Sequence, residues 1–127
     1  MTPEEQQAEA LALYGEINTW DVSSIDNMSH LFRDKTTFGS TARAERGIND
    51  DISNWNISSV TNMWAIFNGA EAFNQDISSW NTSSVTNMNN MFHHAYKFNQ
   101  DISSWDVSSV ANRQVCLCVH PHLIMEM

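Results

Sequence analysis

Side chains able to bind a metal or move a proton are few in this chain, and their spacing is poor for either task. His93 and His94 are neighbours, so they face different ways and make a poor metal pair without outside ligands. Near the carboxyl end Cys116, Cys118, His120 and His122 alternate. As a strand they would share one side and offer ligand types suited to zinc. That run is tighter than ordinary zinc spacings, and Pro121 interrupts it. Asp51, Asp76 and Asp101 recur in one register, with Glu16 in the matching earlier place. Two readings stand for that column: each carboxylate caps its own turn, or neighbours share a cation such as calcium. No nucleophile elbow, phosphate loop or His-Glu-x-x-His is present. The many serines belong to a serine-rich repeat, so neither an enzyme nor a cofactor is expected.

The elements that must position these groups are copies of one phrase. Trp55, Trp80 and Trp105 stand 25 residues apart, as do Phe67 and Phe92, Phe73 and Phe98, and Met63 and Met88. A period of that size marks a stacked repeat in which each unit touches only its neighbours. Ile77-x-x-Trp80-x-Thr82 matches the opening of a leucine-rich repeat. It predicts a strand at about residues 79–83, with Trp80 and Thr82 inward and Asn81 outward. Val85, Met88, Phe92 and Ala95 follow at helical spacing, which predicts a short helix opened by Ser83 or Ser84. The expected fold class is therefore α/β: a short leucine-rich-repeat-like right-handed solenoid of about four turns, each a short parallel strand plus a short helix. Its repeat core is Trp20, Trp55, Trp80, Trp105, Met28, Met63, Met88, Phe32, Phe67 and Phe92.

A length of 127 residues suits one domain. Residues 1–15 read as a capping helix: Thr2 is the N-cap, Pro3 the first helical position, Glu5 the capping-box partner and Gly15 the stop. Ala8, Leu11, Ala12 and Tyr14 would cover the first turn of the stack. Residues 16–113 form the repeat region. Trp20 and Trp55 are 35 apart instead of 25, and the extra residues form an insertion loop over 39–48, GSTARAERGI, open to a binding role or to simple drift. Arg113 stands in a slot otherwise filled by methionine, and residues 114–127 form a divergent tail without the repeat.

A net charge of −9 disfavours nucleic acid and anionic membranes as partners. Arg33, Lys35, Arg43 and Arg46 nevertheless cluster in one segment. No apolar run reaches the roughly 18 residues of a membrane span, and Met-Thr-Pro-Glu-Glu lacks the order of a secretory signal. Two cysteines make no disulfide framework.

FNQDISSWNTSSVTNMNNMF, from Phe73 to Phe92, resembles the repeat of BspA-like surface proteins. These are a leucine-rich-repeat-related group abundant in mycoplasmas and other bacteria and also seen in unicellular algae. YGEINTWDVSSIDNM resembles the opening turn of the algal and protist members. The resemblance spans about residues 13–112. It implies an extracellular or cell-surface protein with adhesive or recognition roles and no established catalysis.

Two surfaces are candidates for such a role, beside one structural column. Asn27, Asn62, Asn87 and Asn112 read as an inward column whose amides bond the adjacent turn. Asp21, Asn56, Asn81 and Asp106 read as outward positions on a flat polar face. Trp64, His93, His94 and Tyr96 vary between repeats, which fits unconstrained surface drift or an anchor for a protein partner, since aromatic residues dominate interface energy. Asn27, Asn56 and Asn81 also open glycosylation tripeptides. The expected function is a non-catalytic recognition or adhesion module for a protein or glycan. The alternatives are a structural spacer or truncated repeat fragment without a ligand and, third, metal binding through the Cys/His tail.

Overall fold

The structure is a computed structural model that describes residues 2–111. Asn112, Arg113 and the Cys116, Cys118, His120, His122 run lie outside the described residues, as do the side chains of Ala8 and Leu11. Helix α1 (Pro3–Tyr14) begins where the punctuation predicts. Thr2 Oγ1 accepts the Glu5 N–H at 3.1 Å, and Gly15 leaves the helix at φ +74°. Ala12, Leu13 and Tyr14 are exposed, so Ala12 and Tyr14 do not cover the first coil as expected. The helix instead contributes its last carbonyls: Trp20 Nε1–H donates to Tyr14 O at 3.0 Å and to Gly15 O at 3.3 Å.

The expected solenoid of strands and helices is not formed. The described residues contain no sheet. Their only β-bridges are isolated parallel ones, Asn27 to Asn62 and Asn62 to Asn87. Helix is confined to α1, a 3₁₀ turn at Ile17–Thr19 and the short α2 (Thr41–Glu45).

Side-chain acceptors explain the missing strand. Asp76 Oδ1 takes the Ser78 N–H at 3.0 Å and Asn81 Oδ1 takes the Ser83 N–H at 3.1 Å. Each diverts the backbone into a turn. The turns close through Trp80 N–H to Ile77 O and Val85 N–H to Thr82 O. Alternation of sides is kept without a strand: Trp80 and Thr82 are buried and Asn81 is exposed.

The predicted helix over 85–95 is likewise replaced by overlapping turns. Met91, His93 and Ala95 N–H donate to Met88, Asn90 and Phe92 O. Asn-Asn-Met-Phe-His-His contains poor helix formers, and Asn87 Oδ1 holds the Asn89 N–H at 3.0 Å. Every second amide closes a turn within its own coil, and the others point along the stack. Met63, Ala65, Phe67 and Gly69 N–H donate to Asn87, Asn89, Met91 and His93 O, and the first coil repeats the pattern from Met28, His30, Phe32 and Asp34 to Asn62, Trp64, Ile66 and Asn68. This geometry needs a left-handed residue at every fourth place. His30 and Asp34, Ala65 and Gly69, and Asn90 and His94 all have φ between 56° and 75°. A non-glycine residue there costs roughly 1–2 kcal/mol, which the inter-coil ladder and the core offset.

The core is an aromatic column. Phe32, Phe67 and Phe92 stack at 5.6 Å between centroids. Phe38, Phe73 and Phe98 form a parallel column at 5.9 and 5.7 Å. Within each coil the two rings lie 4.1–4.2 Å apart. Trp55, Trp80 and Trp105 pack on the first column, and each donates its indole N–H to the preceding coil: to Ile17 O, Ile52 O and Ile77 O at 2.9, 3.0 and 3.0 Å. Met28, Met63 and Met88 are buried beside them. Trp20 departs from the expected core: it is 44% exposed, and among the described residues α1 stands before it in place of another coil.

Candidate functional site

The polar face expected to bind is built from turn caps. Asp21, Asn56 and Asn81 each accept two bonds on Oδ1, from the N–H and the hydroxyl of Ser23, Ser58 and Ser83 at 2.6–3.1 Å. Asp106 Oδ1 holds the Ser108 N–H at 2.9 Å. These oxygens are therefore already engaged within their own turns.

The Asp column behaves the same way. Asp51, Asp76 and Asp101 Oδ1 accept the N–H of Ser53, Ser78 and Ser103, which is the turn-cap reading. Among the described residues no three His, Cys, Asp or Glu side chains come together as a metal site. The hydroxyl of Ser23 holds the Asp21 carboxyl below the usual carboxylate range, with the Ser23 N–H adding to the effect. Ser78 does the same for Asp76.

The asparagine column also differs from expectation. Asn27 is exposed, and Asn27, Asn62 and Asn87 Oδ1 accept the N–H two residues on, from Ser29, Trp64 and Asn89. Their backbones bridge the coils and their side chains cap turns. An amide that serves its own coil satisfies the turn without needing burial.

The variable positions lie on the turns over 29–36, 64–71 and 89–96. Trp64 is 43% exposed, although Phe67, Phe73 and Trp55 in the same coil are buried. Its ring contact is with His30 of the first coil, edge-on at 4.8 Å. His30 Nδ1 is in turn 3.1 Å from Arg33 Nη1. His93, His94 and Tyr96 form a second group: the two imidazoles are 3.9 Å apart and His94 Nδ1 lies 2.7 Å from the Tyr96 hydroxyl. Two aromatic groups thus stand on one turn face, where the sequence suggested a single cluster around Trp64. His30 was not singled out; the signal for it was its place one residue after the Ser29 position that Trp64 fills in the next coil.

The insertion forms an arch. Ser40 Oγ caps α2 by accepting the Arg43 N–H. The Arg43 guanidinium grips Asp50 through Nε to Oδ2 at 2.6 Å and Nη2 to Oδ1 at 2.8 Å, and Gly39 N–H donates to the same carboxylate. Asp50 is buried at 7% exposure, and its bond raises the Arg43 pKa further. Asp50 occupies the place of Gln75 and Gln100, the one signal of this clasp in the sequence. A cleft of about 630 Å³ on one side is lined by Gly39, Ala44, Ile48, Asp51, Gln75 and Asp76. A second, of about 390 Å³, is lined by Ile17, Trp20, Leu31, Phe38, Arg43 and Ile48.

A family model described as Mycoplasma protein of unknown function, DUF285, matches residues 39–117, the span that holds Phe67, Phe73, Phe92 and Phe98 of the two phenylalanine columns. The chain belongs to this family. No curated protein and no solved structure matches this DUF285 chain. None of its described helices is long and apolar enough to cross a membrane.

Proposed function

We propose that this DUF285 protein is a non-catalytic recognition or adhesion module of the BspA-like kind, acting outside the cell or at its surface. It binds a protein or glycan through the varied turn face. The observation that carries this reading is the half-exposed Trp64, held edge-on by His30 in a coil whose other rings are buried. An indole fixed in this way offers a wide apolar contact at low entropic cost. His93, His94 and Tyr96 extend the same face by one coil. By contrast the constant face of Asp21, Asn56, Asn81 and Asp106 has its Oδ1 atoms engaged in turns, which favours a structural role there.

The test is a glycan array and a surface-protein array probed with the labelled chain, Trp64→Ala and Asp106→Asn. The reading expects a specific ligand whose affinity drops at least about tenfold in Trp64→Ala and holds in Asp106→Asn, which keeps the turn-capping oxygen. Absence of any ligand supports a spacer role instead. Equal loss in both variants moves the site to the constant face.

A further inference from the structure

Both phenylalanine columns reach a cleft at the first coil. Phe67 meets rings of the coils on both sides, Phe32 and Phe92, and Phe73 likewise meets Phe38 and Phe98. Outside their own coil, Phe32 and Phe38 meet rings of the second coil alone among the described residues. Both line the cleft of about 390 Å³, whose walls come only from residues 15–50. That volume is within the range of small-molecule sites. Leu31, on the same wall, is 44% exposed, against 0% for Ile66 and Met91 at the matching places of the next two coils.

The lining selects a ring. The columns repeat at 5.6–5.9 Å between centroids, a spacing at which aromatic rings attract each other, so a ring in the cleft continues the stacking that Phe32 and Phe38 begin. Trp20 adds a half-exposed indole, and Ile17 and Ile48 close the sides.

The charges select the rest of the ligand. Of the four charged residues on the cleft, Arg43 and Asp50 are spent on each other. Lys35 and Glu16 are exposed, and neither forms an ion pair among the described residues; the Glu16 carboxylate accepts the Asn49 amide at 3.4 Å. The cleft thus offers one cation and one anion beside an aromatic floor. A plain anion would meet the repulsion of a net charge of −9, whereas a zwitterion carries no net charge.

We infer that this cleft binds a free aromatic amino acid, its ring against Phe32, Phe38 and Trp20, its carboxylate toward Lys35 and its ammonium toward Glu16. Stacking supplies most of the affinity, and the two exposed charges chiefly discriminate between ligands. The inference stands apart from the ligand reading above, since the cleft shares no residue with the varied turn face of Trp64, His93, His94 and Tyr96.

Nuclear magnetic resonance of the ¹⁵N-labelled full chain, titrated with L-phenylalanine to about 10 mM, tests it. The expected result is saturating shifts at the Leu31 and Ile48 amides and the Trp20 indole N–H, with a Kd of about 1 mM or below. Trp20→Ala should bind at least about tenfold more weakly, and Lys35→Gln and Glu16→Gln each about two- to fivefold more weakly. Trp64→Ala should bind as the parent does. L-leucine, which has no ring, should not saturate. N-acetyl-phenylalaninamide, which mimics a phenylalanine inside a protein chain, should bind about fivefold or more weakly than the free amino acid. The amide spectrum establishes that each variant keeps its fold; should Trp20→Ala unfold, the two charge variants decide in its place. No saturation, shifts confined to the turn around Trp64, full affinity in Trp20→Ala or in both charge variants, or equal binding of leucine would each overturn the inference. Equal binding of the N-acetyl amide would overturn it too, by assigning the cleft to a side chain of a protein partner.

Discussion

Trp20 in the first coil and Trp80 in the third hold the same place in the repeat and carry the same indole, yet they live in different surroundings. Trp80 is 4% exposed and donates to Ile52 O of the coil before it. Trp20 is 44% exposed and donates to the carbonyls that end α1. The residue type is constant and the burial is not. Burial in a stack is a property of the preceding neighbour, and a helix end can replace that neighbour's acceptors without replacing its bulk.

The largest test of this difference is truncation of the two rings. Trp80→Ala should cost about 3–5 kcal/mol, because it empties a packed site between Phe67 and Trp105 and removes the indole bond to Ile52 O. Trp20→Ala should cost about 1 kcal/mol or less, since half of its ring already meets water. Chemical denaturation read by circular dichroism separates the two. Equal losses would mean that the first coil is covered as well as the third.

The insertion is the other way in which the first coil differs, and it can be broken by itself. Arg43→Ala removes both guanidinium bonds to the buried Asp50 and should cost about 2–3 kcal/mol through the stranded carboxylate. Hydrogen exchange at the Gly39 amide, which donates to the same carboxylate, should quicken first. Arg43→Ala with Asp50→Asn should recover part of the loss, because the remaining amide no longer buries a charge.

The same comparison explains what could be read in advance. The period, the aromatic columns and the burial of Met63, Phe67, Trp80 and Phe92 follow from spacing alone, because repetition brings like residues together whatever the backbone does between them. The backbone path does not follow. Val85, Met88, Phe92 and Ala95 fit a helical face, and a chain of overlapping turns buries the same four residues. Periodicity reports which side chains face inward and is silent on how the amides are paired. The deciding information lay in the asparagines, aspartates and serines, whose short side chains capture the N–H two residues on. The Trp64–His30 pair and the Arg43–Asp50 clasp were less legible still, since each joins residues from different coils or from an insertion that no repeat can align.

A smaller effect tests the turn geometry. Gly69, at φ +75°, lies against the Asp34 carboxylate, where an added Cβ would collide. Gly69→Ala should cost about 1–2 kcal/mol in thermal or denaturant unfolding. Asp34 holds the equivalent place in the first coil at φ +60°, and Asp34→Gly should be neutral or stabilising by less than about 1 kcal/mol. A helix through either stretch would reverse both signs, because glycine would then be the costly residue.

The smallest effect is the one that must not distinguish the coils. Asp21 and Asp76 owe their lowered carboxyl pKa to serines two residues away, Ser23 and Ser78, and to no neighbouring coil. A carboxyl whose folded pKa is depressed contributes stability that is present above its ordinary value of 3.8 and is lost as pH falls through the lowered folded value. Ser23→Ala and Ser78→Ala should therefore raise the two pKa values toward 3.8 alike, followed by carboxyl carbon resonances from pH 2 to 6, with acid unfolding beginning at higher pH in each. A shift at Asp76 without one at Asp21 would show that the stack, and not the turn, holds the carboxylate. Equal shifts would separate the two levels of the molecule: turn chemistry is local, whereas burial depends on what lies next to it.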